Sequence, residues 1–429
     1  MTTMFDRRQF LETSAGLAAG LFVSGVAAQE ASAEPLRIGL MGCGGRGKQL
    51  VATYSKLQGT TIAAVCDPDR DRLAVAATEI GKLTGSDPKA EADFRTLLDD
   101  KSIDILIVAA PNHWHGPATI LACSAGKHVY VEKPACHNPA EGEMMIATAR
   151  KHNRCVQVGT QRRSNAAIIE GINLVHEGAI GTPYYARAWY ANQRGPIGHA
   201  EVSEPPTELN FDLWQGPAPR VPFKSNYLHY NWHWFWHWGN GELGNNGVHA
   251  IDLARWALGV DHPEQAVSSG GRYAYDDDQE TPDTQVVSFK YPGEKQIMWE
   301  GLSCNRHGLD KTGFGVTVHG NGGTLSIQSD GYVLFDDRGK EVKKNSGGGP
   351  GDAAHAENFL TAIRANDPTL LNCEIEDGHK SALAPHLGNI AHRVGRTITC
   401  SAENGYIQGD DEAAALWKRE YAPGWEPVV

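Results

Sequence analysis

Two hydrophobic rhythms divide the chain. From residue 35 to 160, short runs that are apolar on both faces alternate with helical patterns: "LRIGLMG" (36–42), "TIAAVCD" (61–67), "DILIVAA" (104–110), "HVYVEKP" (128–134) and "CVQVGT" (155–160). The segments between them, such as "DRDRLAVAATEIGKL" and "PAEGEMMIATARKHN", carry helical spacing. Strands buried on both faces and separated by helices predict a parallel sheet wound on both sides. After about residue 182 the rhythm changes. "PYYARAWYAN", "TQVVSFKY", "KQIMWEGL", "FGVTVHG" and "GTLSIQ" alternate apolar and polar positions. Alternation predicts a large, mostly antiparallel sheet with one face covered. A helix is expected at 248–258, and two more at 355–366 and 377–396, returning toward the first domain. "KKNSGGGPGD" (343–352) reads as a flexible connection. The fold class is therefore α/β: a Rossmann domain at 35–160 and an α+β domain at 161–429.

The first 33 residues follow neither rhythm. Arg7-Arg8, then Phe10-Leu11, a Gly/Ala-rich apolar run and Ala31-Ser32-Ala33 have the layout of a secretory signal of the twin-arginine type. The expectation is export to the periplasm or an equivalent compartment, with no membrane span in the mature chain. The eight cysteines include no C-x-x-C pair, and several fall on predicted buried strands, where a thiol acts as a small hydrophobe. Free thiols are expected. Net charge is −12 with no basic block, which excludes nucleic acid as an expected partner.

The chemistry begins at Gly42-x-Gly44-x-x-Gly47, directly after a strand and opening a helix. The first glycine makes the turn, the second admits a pyrophosphate, and the third lets helix and strand pack. The helix N-terminus, including Arg46, offers N–H groups and positive potential to phosphate. Asp67 ends the second strand, where a carboxylate accepts both ribose hydroxyls and repels a 2′-phosphate. NAD is expected over NADP, although Arg70 and Arg72 stand nearby.

Three further stretches, "AAPNHWHGPA" (109–118), "EKPA" (132–135) and "GNNGVHAID" (244–252), line up with the glycine loop. Together they resemble the Gfo/Idh/MocA family of sugar and cyclitol oxidoreductases, over roughly residues 36 to 400. The resemblance implies a Rossmann domain, a second domain with an open sheet used for oligomer contacts, and substrate bound between them. A homodimer or tetramer acting on a small sugar or cyclitol is therefore expected. Lys133 matches the family's active-site lysine, with Glu132 beside it. Burial beside a substrate hydroxyl would lower its pKa and suit it to proton transfer. Asn112 and His115 are expected beside the nicotinamide. His249 matches a second catalytic position, in a pattern whose Asp is replaced here by Asn245. Arg162 or Arg163 is expected to reach the cleft from the domain crossover.

"YNWHWFWHWGN" (230–240) precedes that motif. His229, His233 and His237 at four-residue spacing would make a metal stripe on a helix, but alternation and flanking Gly/Asn favour extended chain. No metal is expected. Extended, the four tryptophans share one face. That face is either packing or a wall for sugar, with Trp236 and His237 as substrate contacts.

The implied activity is an NAD-dependent oxidation of a sugar carbinol. Export would demand a tightly held cofactor regenerated in place. Two other readings stand beside it: a redox-neutral NAD-dependent glycosidase working by transient oxidation and elimination, and a sugar-binding protein without turnover.

Overall fold

The computed structural model describes residues 34–429, and the expected signal at 1–33 lies outside the described residues. Pro35–Val429 form one unit.

Its first sheet has six parallel strands: β1 (Leu36–Met41), β2 (Thr60–Cys66), β3 (Lys89–Glu91), β4 (Ile105–Val108), β5 (His128–Val131) and β6 (Val156–Val158). Their spatial order is β3-β2-β1-β4-β5-β6. The order reverses between β1 and β4, and there the carboxyl ends open a crevice. β4 is buried at all four positions, as a central parallel strand must be. β3 is short and polar, so its sequence carries no strand signal. Helices α1 (Gly45–Tyr54), α2 (Arg70–Thr84), α3 (Arg95–Asp99), α4 (Asn112–Ser124) and α5 (Pro139–Lys151) complete the domain. Asp69 caps α2 by accepting from the amides of Asp71 and Arg72, and Gly85 ends it in the left-handed region.

The second sheet has ten strands: β7 (Pro183–Ala191), β8 (Gln265–Gly271), β9 (Thr284–Tyr291), β10 (Lys295–Leu302), β11 (Phe314–Gly320), β12 (Gly323–Gln328), β13 (Gly331–Asp336), β14 (Glu341–Ser346), β15 (Ile398–Cys400) and β16 (Ile407–Gln408). β7 and β10 pair in parallel and the other neighbours are antiparallel. β9 shows why the sequence alternates: Gln285, Val287, Phe289 and Tyr291 point inward, and Val286 and Lys290 point out. Helices α6 (Ala166–His176), α7 (Phe211–Gln215), α8 (Val248–Leu258), α9 (Asp352–Ala365), α10 (Ile375–Val394) and α11 (Asp411–Ala415) follow in chain order. α8 and α10 cover the inner face, sharing a core with Val287, Phe289, Trp299 and Val318.

The C-terminal helices also close the Rossmann domain. Phe359 and Leu360 of α9 join the core of β1 and β2, and Ile375 and Ala382 of α10 join that of β5 and β6. Seven of the eight cysteines are buried and all eight are free.

Two expectations are corrected. Lys343–Ser346, read as part of a flexible connection, form the outer strand β14, because β13 offers a paired edge. The Trp/His stretch is not extended. Asn231–Trp234 form a 3-10 turn, and Trp238 and Gly239 then close a second turn onto the carbonyl of Phe235. The coil sends the tryptophans in different directions. Trp232, Phe235 and Trp238 pack into a small aromatic core with Trp214 and Phe223.

Candidate active site at the domain cleft

The carboxyl ends of β1, β2, β4 and β5 open into a cavity of about 550 Å³. Its floor is the glycine loop. Gly42 has φ +97°, a conformation glycine adopts freely, and a Cβ there would sit 2.5 Å from the carbonyl oxygen of Ala109. A Cβ at Gly47 would lie 2.0 Å from the carbonyl oxygen of Gly42. The loop is thus cut to backbone thickness, and α1 begins over it with no side chain capping its amides. These residues fit a dinucleotide: free amides for a pyrophosphate, and Asp67 on the adjacent strand end for a ribose. Asp67 is buried and accepts from the amides of Cys43 and Asp69 at 2.8 and 3.0 Å, one on each oxygen. Burial raises its pKa, against the pull of those two amides. Each oxygen keeps a lone pair for a further donor. Arg72 also lines the cavity.

Asn112, at the start of α4, is buried with its Oδ1 unpartnered inside the protein. His115 on the same helix braces two strand ends: Nδ1 lies 2.6 Å from Pro134 O and Nε2 2.9 Å from Ala110 O. Burial lowers its pKa. Glu132, also buried, is locked by Arg46 Nε at 2.6 Å, and Arg46 reaches on to Asp352 of α9 at 2.8 Å. Burial opposes the Glu132 charge, and the Arg46 guanidinium overcomes it, holding the pKa below the usual value. Gln161, in the amide orientation that satisfies both ends, donates to Gly159 O and accepts from Arg46.

Lys133 is the point where the two domains meet chemically. Its Nζ donates to the main-chain oxygen of Asn245 at 2.9 Å and to its Oδ1 at 2.8 Å. Burial lowers its pKa, with Glu132 and Glu242 pulling the other way. Asn245 sits in a π-helical turn, Leu243–Gly247, that runs into α8. The extra residue in that turn is a common device for aiming a side chain at a site. His249 follows one turn later. It is half-buried, its Nδ1 has no partner, and it stands behind Asn245 rather than on the cavity wall. Burial, and then the charge on Lys133, push its pKa well below the ordinary value, so it is neutral at neutral pH.

The replacement of aspartate by Asn245 has a counterpart in Glu242. Glu242 is only 3% exposed, and Asn245 Nδ2 and Asn246 Nδ2 donate to its Oε1 at 3.3 and 2.5 Å. Arg194 pairs with its other oxygen at 2.6 Å and donates to Tyr230 Oη at 3.0 Å. A carboxylate is therefore present one turn before Asn245, orienting its amide so that the oxygen faces Lys133. Tyr230 opens the quoted Trp/His stretch and Glu242 lies between it and the 244–252 motif, so proximity along the chain offered a hint. Arg194, about fifty residues upstream, offered none.

Four of the expected substrate contacts lie elsewhere. Arg163 pairs with Asp252 in the core at 2.8 Å, because α8 presents that carboxylate to it. Arg162 turns to Ser329 and Asp330 and stacks over Phe314 at 4.2 Å. Trp236 and His237 face a different cavity, since the chain coils before reaching them. The cleft wall is instead Trp214, His229, Tyr230, Trp232 and His233. The three histidines diverge: His229 to Asp69, His233 to Tyr230 O, His237 to Pro219 O.

Similarity to known proteins agrees with this architecture. Residues 36–160 match the model of an oxidoreductase family with an NAD-binding Rossmann fold, and residues 188–426 match that family's C-terminal alpha/beta domain. A glycosyl hydrolase family 109 protein of Saccharopolyspora erythraea is 31% identical over 210 residues, 43% of this chain and 46% of that protein. A levoglucosan dehydrogenase of Pseudarthrobacter phenanthrenivorans is 26% identical over 255 residues, 55% of this chain and 57% of that protein. The matches thus span about half the length of these curated relatives. Among solved structures, levoglucosan dehydrogenase in complex with NADH and levoglucosan superimposes with TM-score 0.66 at 18% identity, covering 85% of this chain and 99% of that one. Aldose-aldose oxidoreductase from Caulobacter crescentus does so with TM-score 0.64 at 20% identity, covering 85% and 100%. With its strand order, glycine loop, Glu132-Lys133-Pro134 turn and both domains accounted for, the chain belongs to the Gfo/Idh/MocA oxidoreductase family.

Proposed function

We propose that the protein oxidises a carbinol of a sugar, cyclitol or sugar derivative with NAD held in the cleft. The observation that carries this reading is Lys133 Nζ gripped by Asn245, with neutral His249 one turn behind. Gly42, Gly44, Gly47 and Arg46 would cradle the pyrophosphate, Asp67 a ribose, and Asn112 the nicotinamide end. When bound, the nicotinamide supplies the hydride acceptor. Lys133 is placed to hold the substrate oxygen by hydrogen bonding and to pass its proton onward. His249, uncharged and behind Asn245, would be the group that finally takes up that proton. Tyr230, Trp232 and His233 give a wall of the amphipathic kind that suits sugar C–H faces.

A second reading, redox-neutral glycoside cleavage, is supported by the 31% identity to the glycosyl hydrolase family 109 protein. It would use the same residues: with the carbinol transiently oxidised, the neighbouring C–H loses its proton, the aglycone leaves protonated, water adds across the conjugated double bond, and the carbonyl takes the hydride back. Nicotinamide absorbance followed with sugars and aryl glycosides separates the two. Net reduction, relieved by a second carbonyl compound, supports the oxidoreductase. Aglycone release without net reduction supports the glycosidase. No change with any sugar, and no nucleotide uptake, would refute both.

The twin-arginine layout at Arg7-Arg8 supports export, with NAD bound tightly and loaded before it. The outward face of the ten-stranded sheet, where Val267 and Val286 remain exposed, supports a homo-oligomer. Light scattering on the purified protein tests the latter: a monomer mass would refute it. Among the described residues no helix is long and apolar enough to cross a membrane.

A further inference from the structure

Tyr230 stands on the cleft wall, 48% exposed, and its phenol oxygen already receives two donors. Arg194 Nη1 reaches it at 3.0 Å and Asn245 Nδ2, more weakly, at 3.4 Å. A phenol oxygen that accepts twice still has its own O–H to give. Among the described residues no hydrogen bond has that O–H as its donor, and the bond from Arg194 is itself exposed. A guanidinium on the oxygen polarises the O–H and strengthens it as a donor.

The side chain is held in this pose. Arg194 is anchored by buried Glu242 at 2.6 Å, and its guanidinium carbon lies 5.4 Å from the centre of the Tyr230 ring. Trp234 meets that ring edge-on at 6.1 Å. His233, also on the cleft wall, lies 4.4 Å from it, ring to ring. The Nδ1 of His233 is 2.6 Å from Tyr230 O. A carbonyl only accepts, so Nδ1 carries the proton and Nε2 is left as an acceptor. A donor on Tyr230 and an acceptor on His233 match a hydroxyl, which both accepts and donates.

One carboxamide sets Tyr230 relative to the chemistry. Asn245 accepts from Lys133 Nζ on Oδ1 at 2.8 Å and donates to Tyr230 Oη from Nδ2. All three residues line the same cavity. The two donors thus stand at the two ends of one amide, the scale on which neighbouring hydroxyls of one sugar ring follow each other.

We propose that Tyr230 determines specificity: its O–H donates to the hydroxyl on the carbon next to the one oxidised, while Lys133 holds the reacting oxygen. This assignment rests on the carbinol oxidation proposed for the cleft. A site that pairs a substrate hydroxyl rejects the analogue lacking it, because the protein's donor is then left unmatched.

The test combines Tyr230→Phe, which keeps the ring and removes only the hydroxyl, with deoxy sugars. The parent is D-glucose, D-galactose, D-xylose or myo-inositol, whichever the NAD-loaded wild type oxidises fastest by nicotinamide absorbance. It is compared with its monodeoxy analogues. On the parent, Tyr230→Phe should lower kcat/KM about tenfold, the size of one neutral hydrogen bond. On the analogue lacking the partner hydroxyl, wild type should fall by about the same factor and Tyr230→Phe should lose nothing further. NAD affinity should match wild type, since Tyr230 makes no hydrogen bond to the Rossmann domain. Equal kcat/KM for the two proteins on the parent overturns the proposal alone. So does the same loss on every analogue, which would mark a misplaced Asn245 and not a lost bond to substrate. If wild type oxidises none of the four parents, the proposal falls together with the oxidation it rests on.

Discussion

Lys133 Nζ donates to both oxygens of Asn245, main chain and side chain, at 2.9 and 2.8 Å. One residue ends a strand of the Rossmann domain, and the other lies in a π-turn of the second domain. The bond therefore ties Lys133, the proposed proton-handling group, to the relative position of the two domains. Lys133→Ala should lower kcat by about 10²–10⁴-fold, the usual range for a positioned proton-transfer group. NAD binding, measured by calorimetry, should persist, because the glycine loop and Asp67 are untouched. Surviving turnover would remove Lys133 from the mechanism.

Asn245→Asp tests the sign of the electrostatics. A carboxylate 2.8 Å from Nζ favours the charged lysine and raises a pKa that burial lowers. The alkaline limb of the kcat profile should move up by about one pH unit. A limb that stays in place would show that it does not report Lys133.

Glu242 is a positioning residue whose effect should appear in stability and catalysis together. Glu242→Ala leaves Arg194 without its partner in a poorly solvated place, at a cost of about 3 kcal/mol. Glu242→Gln keeps a hydrogen-bonding group beside Asn245 and should cost less. Urea unfolding measures the first effect. The ratio of kcat to KM changes reads the second, since a misaimed Asn245 should lower kcat more than it raises KM.

Gly47→Ala places a Cβ 2.0 Å from Gly42 O, so α1 must move off the loop. NAD affinity should fall at least tenfold, about 1.4 kcal/mol. Unchanged affinity would mean that the loop does not hold the pyrophosphate.

Buried histidines should make the protein acid-sensitive. Burial pushes His113, His137 and His249 well below the ordinary value of 6.5, and His233 and His386 down to about 3. Their folded pKa values are depressed, so below pH 6.5 the unfolded state binds protons that the folded state refuses. Stability should fall as pH drops from 6.5 toward 4, by up to about 1.4 kcal/mol per pH unit for each histidine. Thermal melts across that window check the slope. For the same reason activity should show no acid limb near 6.5 from His249.

The sequence by itself determined the two-domain α/β class, the glycine loop and the place of Lys133 just past a strand end. Those features are local: apolar period, glycines at set spacing, and a lysine at a strand end each state their consequence within a few residues. The period did not mark β3, β8 or β13 to β16; β3 and β14 are polar throughout or nearly so, and only a neighbouring strand makes them strands. Tertiary structure alone decided the rest. It coiled Tyr230–Gly239 around an aromatic core rather than laying it flat, because the rings find one another sooner than they find a partner strand. It sent Trp236 and His237 to a second cavity, and gave Arg163 to Asp252. It also brought Arg194 and Glu242 behind Asn245, a pairing set by desolvation and charge across the fold, which no spacing along the chain records.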